Sequence, residues 1–430
     1  MRELAPGWKT SPLGSLVDIA IGGTPSRDIP RYWAIEGAEG FPWLAISDLH
    51  ERVITTTKEQ ITSAGIANSN VKPVAPGTVL MSFKLSLGRM AFAGTDLFTN
   101  EAIAAFKSRG EIDEHYLYYV LPEAVRSAAT DVAIKGATLN KKSLAALPIS
   151  HPALNTQKAI AQVLASIDTA VEKTEALIAK HQQIKAGLMH DLFIRGVLPN
   201  GQLRPPRSEA PELYQETAIG WIPKTWEVGT FGSQISIIDP NPSHRYPSDV
   251  LDGVPICSTE NFSGEDDFDL SKAKPAPMTT YQEQNARCQF SSKDVVFARK
   301  GRLGLARRYG SDHKVFSHTV VLLKPKASNV SADWVLWAAR ADWLTRGIAR
   351  RMNSNSGVPT LGVAFIAEIE IPFPHRFEQE VMATILDKTS EALRRDEHRL
   401  SKLKQQKLGL MQDLLTGRVP VPTDSAEATA

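Results

Sequence analysis

The chain has 430 residues, too long for one ordinary domain and suited to two or three. Apolar residues make up 42% and charged residues 22%, a globular balance that argues against a disordered chain, and no run approaches the 18 apolar residues of a membrane span. A net charge of +2 excludes a chain that is basic throughout, so any surface for nucleic acid is local.

Residues 1–152 hold short β-like runs such as Thr78 to Phe83, punctuated by turn clusters such as Gly22-Gly23-Thr24-Pro25 and Pro76-Gly77. A helical stretch, Glu114 to Ala129, follows. This predicts a compact α+β domain. Its basic clustering is milder than that of the second domain, with Lys72, Lys84, Arg89, Lys135, Lys141 and Lys142 as its candidates.

Residues 153–196 form the next segment. Positions 155–194 contain no proline and one glycine, Gly187. Apolar residues recur at spacings of three and four: Ile160, Leu164, Ile167, Val171, Ile178, Leu188 and Leu192. Sustained heptad-like spacing is the mark of a coiled-coil seam, here broken by the polar Thr174 and His181. Pro152 before and Gly196 after supply start and stop signals. At 1.5 Å per residue such a helix is about 60 Å long and must find a partner to bury its stripe.

Residues 197–221, rich in proline and polar residues, read as a linker. A second domain, 222–375, again shows β-like runs (Asp294 to Ala298, Thr319 to Leu323), the turn Asp239-Pro240-Asn241-Pro242 and a helical stretch from Ala332 to Arg351. Its charge is uneven. Between Arg287 and Lys314 stand Arg287, Lys293, Arg299, Lys300, Arg302, Arg307, Arg308 and Lys314, opposed only by Asp294 and Asp312. Arg340, Arg346, Arg350 and Arg351 lead into the polar loop Asn353-Ser354-Asn355-Ser356-Gly357. Lysine and arginine neutralise phosphates, and arginine, asparagine and serine read base edges. The candidate DNA-contacting residues are therefore Lys84, Arg89, Arg299, Lys300, Arg302, Arg307, Arg308, Arg350 and Arg351. Residues 376–417 are a second long helix with the seam Met382, Leu386, Leu393, Leu400, Leu403, Leu410 and Leu414, interrupted at Thr389 and Asp396. Residues 418–430 read as a flexible tail.

The chain is written twice. Shifted by 222 residues, 157–192 and 379–414 match without a gap at 13 of 36 positions, among them Gln157/Gln379, Lys185/Lys407 and Asp191/Asp413. Composition alone gives roughly two. Upstream, residues 78–88 align without a gap on 294–304, and Gly136-Ala137-Thr138-Leu139 answers Gly357-Val358-Pro359-Thr360-Leu361. The scaffold agrees and the domain interiors differ. The expected architecture is α+β, with two tandem mixed α/β domains joined by two long antiparallel coiled-coil helices in a pseudo-twofold arrangement, one domain at each end of the helix pair.

The sequence contains no GxxxxGK[ST], HExxH or GxSxG motif, and no Asn-Pro-Pro-aromatic or Asp-Pro-Pro-aromatic tetrapeptide of amino-methyltransferases. No catalytic residue and no metal ligand is nominated. Cys257 and Cys288, with no second pair, read as inert thiols of a reducing cytosol. The first residues lack an apolar signal core, so the expected location is cytoplasmic.

The chain resembles the specificity subunits of type I restriction–modification systems. The resemblance rests on Gly220-Trp221-Ile222-Pro223-Lys224-Thr225-Trp226, on Ile371-Pro372-Phe373-Pro374 followed by Gln379, and on Leu410-Met411-Gln412-Asp413-Leu414-Leu415-Thr416-Gly417-Arg418-Val419. The first copy has the same outline but departs from it at Phe193-Ile194-Arg195-Gly196. The resemblance implies two target recognition domains, each reading half of a split double-stranded DNA site, with the helices setting the gap. It implies no cofactor on this chain. S-adenosylmethionine would sit on two docked methyltransferase subunits acting on a flipped adenine. ATP and Mg would serve two restriction/translocase subunits. The rival readings are a self-sufficient DNA methyltransferase or nuclease, which needs a catalytic domain, and a coiled-coil scaffold that ignores DNA.

Overall fold

The structure, a computed structural model, describes residues 5–35, 39–84, 87–130, 140–245, 250–351 and 360–422, with the side chains of 129, 130 and 351 outside that description. Packing divides the chain into two units: residues up to Glu175 together with those from His398 onward, and Ala176–Glu397. Each of the two long helices, Leu154–Ile194 and Arg376–Leu414, contributes residues to both units.

The first unit is built on a five-stranded sheet, ordered Val17–Ile21, Ile103–Ser108, Val79–Ser82, Met90–Ala93, Val53–Ile54. Its central strands are apolar on both faces because both faces are covered. Val79, Met81, Ala104 and Phe106 point into a core shared with the helix Glu114–Thr130, with Ile160, Leu164 and Leu414 of the long helices, and with Leu415 just after the second of them. The intervening Leu80, Ile103 and Ala105 point the other way, into a second core. There a four-stranded sheet is ordered Glu59–Ile61, Phe41–Leu44, Leu97–Thr99, Pro73–Val74, its middle pair running parallel.

The second unit repeats this plan. Its sheet is ordered Ile235–Ile238, Val320–Pro325, Val295–Ala298, Ala306–Arg308, and Val254–Cys257 pairs in parallel with Val315–Phe316. Val295, Phe297, Val321 and Leu323 face one core; Val296, Ala298, Val320 and Leu322 face the other. The helical stretch expected from Ala332 to Arg351 is two helices, Ala332–Arg340 and Asp342–Arg351. Ala341 is extended (ψ 152°), which turns the second helix so that Leu344 and Ile348 reach the same core as Trp334 and Trp337.

Within each unit the long helices lie side by side and run antiparallel. In the first, Lys407 Nζ is 2.6 Å from Asp168 Oδ1 and Lys404 Nζ is 2.8 Å from Glu175 Oε1, so numbers rise along one helix as they fall along the other. In the second, His181 Nδ1 is 2.9 Å from Asp396 Oδ2, and Leu192 and Phe193 share a core with Met382, Ala383 and Leu386. Of the seam residues, Ile160, Leu164, Ile178, Met382, Leu386 and Leu393 are buried, and Ile167, Val171, Leu188, Leu400, Leu403 and Leu410 are half-buried. The seam's middle is more polar than its apolar spacing implies: Asp168, Thr174, Lys185 and Ser390 are also buried there.

Matched residues fasten each head to its helix. Gln157 Nε2 donates to Pro152 O (2.9 Å) and Glu111 O (3.1 Å), and its Oε1 accepts from Asp113 N (2.8 Å). Gln379 makes the same set, to Pro374 O (2.8 Å), Asn329 O (3.3 Å) and from Ser331 N (2.8 Å). Both helices stop at a left-handed glycine, Gly196 (φ +62°) and Gly417 (φ +71°). A Cβ at either would strike a tryptophan, Trp226 or Trp8.

Candidate nucleic-acid interface

In each unit two adjacent strands of the main sheet form a hairpin: Val79–Ser82 with Met90–Ala93, and Val295–Ala298 with Ala306–Arg308. The alignment of residues 78–88 on 294–304 is also a structural register. Gly88 N donates to Ser82 O at 2.8 Å, and Gly304 N to Ala298 O at 3.0 Å. Ser82 N donates to Arg89 O at 2.9 Å, and Ala298 N to Leu305 O at 2.8 Å. Gly88 (φ +82°) and Gly304 (φ +78°) share a conformation. Lys84 and Lys300 therefore occupy the same place in two equivalent loops. Both are half-buried.

The basic cluster of the second unit separates into surface and interior. Arg302 is exposed, although its Nη1 donates to Phe262 O at 2.9 Å, and Arg350 is exposed near the end of its helix. In the first unit Arg89, Lys72, Lys141 and Lys142 are exposed. The side chain of Arg351, the loop Asn353 to Gly357, and Lys135 lie outside the described residues.

Two expectations are corrected. Arg299 is 7% exposed, with Nη2 2.6 Å from Asp239 Oδ2 and Nε donating to His318 O. Arg307 is 4% exposed, its guanidinium donating to the carbonyls of Ala306 and Gly264. Burial holds the Arg307 pKa below its ordinary value, with Arg340 adding to the effect. Neither side chain offers a phosphate a free face. Charge counted along a strand does not distinguish the two sides of a sheet. Arg308 is half-buried and tied to Asp333 (3.0 Å) and Asp387 (2.9 Å), so it fastens the head to the second long helix. Trp337 Nε1 donates to the same Asp387 at 2.9 Å. The first unit has a counterpart: Tyr119 Oη donates to Asp168 at 2.7 Å, with Arg52 3.7 Å from that carboxylate.

Around Lys300 stand His244 and His318, their rings stacked at 4.7 Å. Burial first, then His244, Lys300 and Arg299, hold His318 below its usual pKa and thus disfavour its charged form. The thiols of Cys257 and Cys288 are buried, which pushes them up to about 12 and about 11. Among the described residues no group of three or more His, Cys, Asp or Glu is placed to hold a metal ion, and no helix is long and apolar enough to cross a membrane.

The type I restriction modification DNA specificity domain matches the chain twice, over residues 6–182 and 252–405, together more than half of its length. The chain belongs to this family. The two matches fall on the two repeats of the specificity subunit, as the duplicated fold requires. Among curated relatives, the type I restriction enzyme MjaVIII specificity subunit of Methanocaldococcus jannaschii is 21% identical over 96% of this chain and 93% of its own length. The MjaIX specificity subunit of the same organism is 25% identical over 55% of this chain, and the match spans about half of that relative, 53%. The S subunit of a type I restriction-modification system from M. genitalium has the same fold, with a TM-score of 0.61 at 17% identity, covering 96% of this chain and 97% of that one. A chain from a structure describing assembly and conformational transition of a type I system gives 0.52 at 14% identity, over 97% and 100%.

Residues that sequence reading missed are in the first head. Arg27 and Trp33, neighbours in one stretch, meet Glu59 from the strand Glu59–Ile61 there. Only the turn at Gly22-Gly23-Thr24-Pro25 hinted that the chain bends back at this point.

Proposed function

We propose that this specificity subunit reads a bipartite double-stranded DNA site, one half per head, and carries no catalysis of its own. The heads are residues 1–152 and 222–375, with 197–221 as the linker between the first long helix and the second head. The supporting observation is the pair of equivalent hairpin loops that place Lys84 and Lys300 alike while the residues around them differ. A shared lysine suits the phosphate, which is the same at every base pair, and differing neighbours suit two different half-sites. Two methyltransferase subunits would dock on the paired long helices, bring S-adenosylmethionine and methylate adenine. Two restriction/translocase subunits with ATP and Mg would join for cleavage, in the cytoplasm.

Methylation mapping of a host genome tests this reading. Replacing 222–375 by the matching segment of a relative is expected to change one half of the modified motif and leave the other. A change in both halves overturns the reading. So does methyl transfer to DNA by the purified chain alone with S-adenosylmethionine.

A further inference from the structure

In the first head the loop after the strand Val17–Ile21 holds an arginine still in the open. Arg27 is 52% exposed, yet three groups restrain it. Its guanidinium lies 3.7 Å from the ring centre of Trp33 and 5.1 Å from that of Trp43. Glu59 accepts from both Nη1 and Nη2, the latter at 2.9 Å. The platform is itself fixed. Trp33 Nε1 donates to Ser26 O at 3.2 Å and Trp43 Nε1 to Gly23 O at 2.9 Å, and the two rings meet edge to face at 5.0 Å. Gly23 allows this closure, since a Cβ there would lie 2.1 Å from Asn70 Oδ1.

An exposed ion pair adds little to stability, because solvent screens it and ordering two long side chains costs entropy. A stacked, buttressed arginine in the open is better explained by recognition, where a fixed donor fork avoids paying that entropy on binding. Glu59 takes the Nη1/Nη2 edge. The Nε/Nη2 edge keeps two parallel N–H donors, with no hydrogen bond from Nε among the described residues. Two parallel donors match the O6 and N7 acceptors of guanine in the major groove. Arg27 and the hairpin lysine Lys84 both act on Glu101, lowering its pKa after the leading contribution of its hydrogen bond from Thr24. In the second head Arg299, the arginine next to the hairpin lysine, is buried against Asp239 and offers no such fork.

Resting on the DNA-reading role above, we infer that Arg27 reads a guanine in the half-site of the first head, with Glu59 and Trp33 as its positioning residues. The test uses the full chain assembled with its methyltransferase subunits and duplex libraries randomised in one half-site at a time. Arg27→Ala is expected to cut discrimination at one guanine position by about tenfold or more, leaving the other half-site unchanged. Arg27→Lys keeps the charge without the fork and is expected to lose the same preference while retaining affinity for unrelated DNA. Glu59→Gln is expected to weaken the preference partially. Should Arg27→Ala melt early, the Lys and Gln variants carry the test. An equal loss over all sequences marks a phosphate contact and overturns the inference, as does an unchanged preference. A native assembly without any sequence preference sinks the DNA-reading role itself.

Discussion

Asp168 and Lys407 stand 2.6 Å apart on the seam between the two long helices, and Asp168 also accepts from Tyr119 of the first head. One buried carboxylate thus joins both helices and a recognition head. The repeat equivalent of Lys407 is Lys185, which pairs instead with Glu265 of the second head. The duplicated lysine serves the helix pair in one unit and the head in the other.

Asp168→Ala is expected to destabilise the first unit by about 1–3 kcal/mol, because Tyr119 Oη and Lys407 lose a buried acceptor. Asp168→Asn, which keeps an acceptor but not the charge, is expected to cost less. Thermal melts of the purified chain measure both, and equal melts for the Ala variant and the parent reject the node.

Gln157→Ala and Gln379→Ala are expected to behave alike. Each leaves a backbone N–H, of Asp113 or Ser331, without its side-chain acceptor, at about 1–3 kcal/mol. Hydrogen exchange at those two amides reads the loss directly. A large effect in one copy only contradicts the equivalence of the two anchors.

Within the basic loop of the second head, the structure separates affinity from stability. Lys300→Ala and Arg302→Ala are expected to weaken DNA binding on all sequences and to lower the slope of log affinity against log salt by about one each, with melting unchanged. Arg299→Ala is expected to lower the melting temperature, since it leaves Asp239 without its ion-pair partner. Binding titrations at two salt concentrations alongside melts distinguish them; melting loss for Lys300→Ala would place that lysine in the interior instead.

Acid is expected to destabilise both units through histidine. His151 is fully buried in the first, and burial lowers its pKa from the ordinary 6.5, as it does for His318 in the second. A folded-state pKa below the unfolded one means that the unfolded chain binds the extra proton more readily. The stability is therefore complete above about pH 6.5 and is lost as pH falls through the folded-state values. Denaturant melts across that range should show the decline, and His151→Gln should flatten the part belonging to the first unit. An unchanged pH profile in that variant excludes His151 as a contributor.

Local chemistry was legible along the chain. Helix propensity, proline-free length and three-four apolar spacing depend only on neighbours a few residues away, so two long helices were expected within 153–196 and 376–417, where Leu154–Ile194 and Arg376–Leu414 lie. The duplication was visible for the same reason, because residues such as Gln157 and Gln379 meet identical local demands and kept their identity. The apolar run of a central strand such as Val295–Ala298 announced a β-run, but not which elements cover its two faces. That depends on what packs above and below it. For the same reason only the tertiary structure decided that Arg299 and Arg307 turn inward while Arg302 turns outward, because burial is set by strands and loops distant in the chain. Arg27 is the clearest case. Its own stretch supplies only Trp33, which stacks on it; Glu59, 32 residues on, pairs with it through a fold that brings separate segments together.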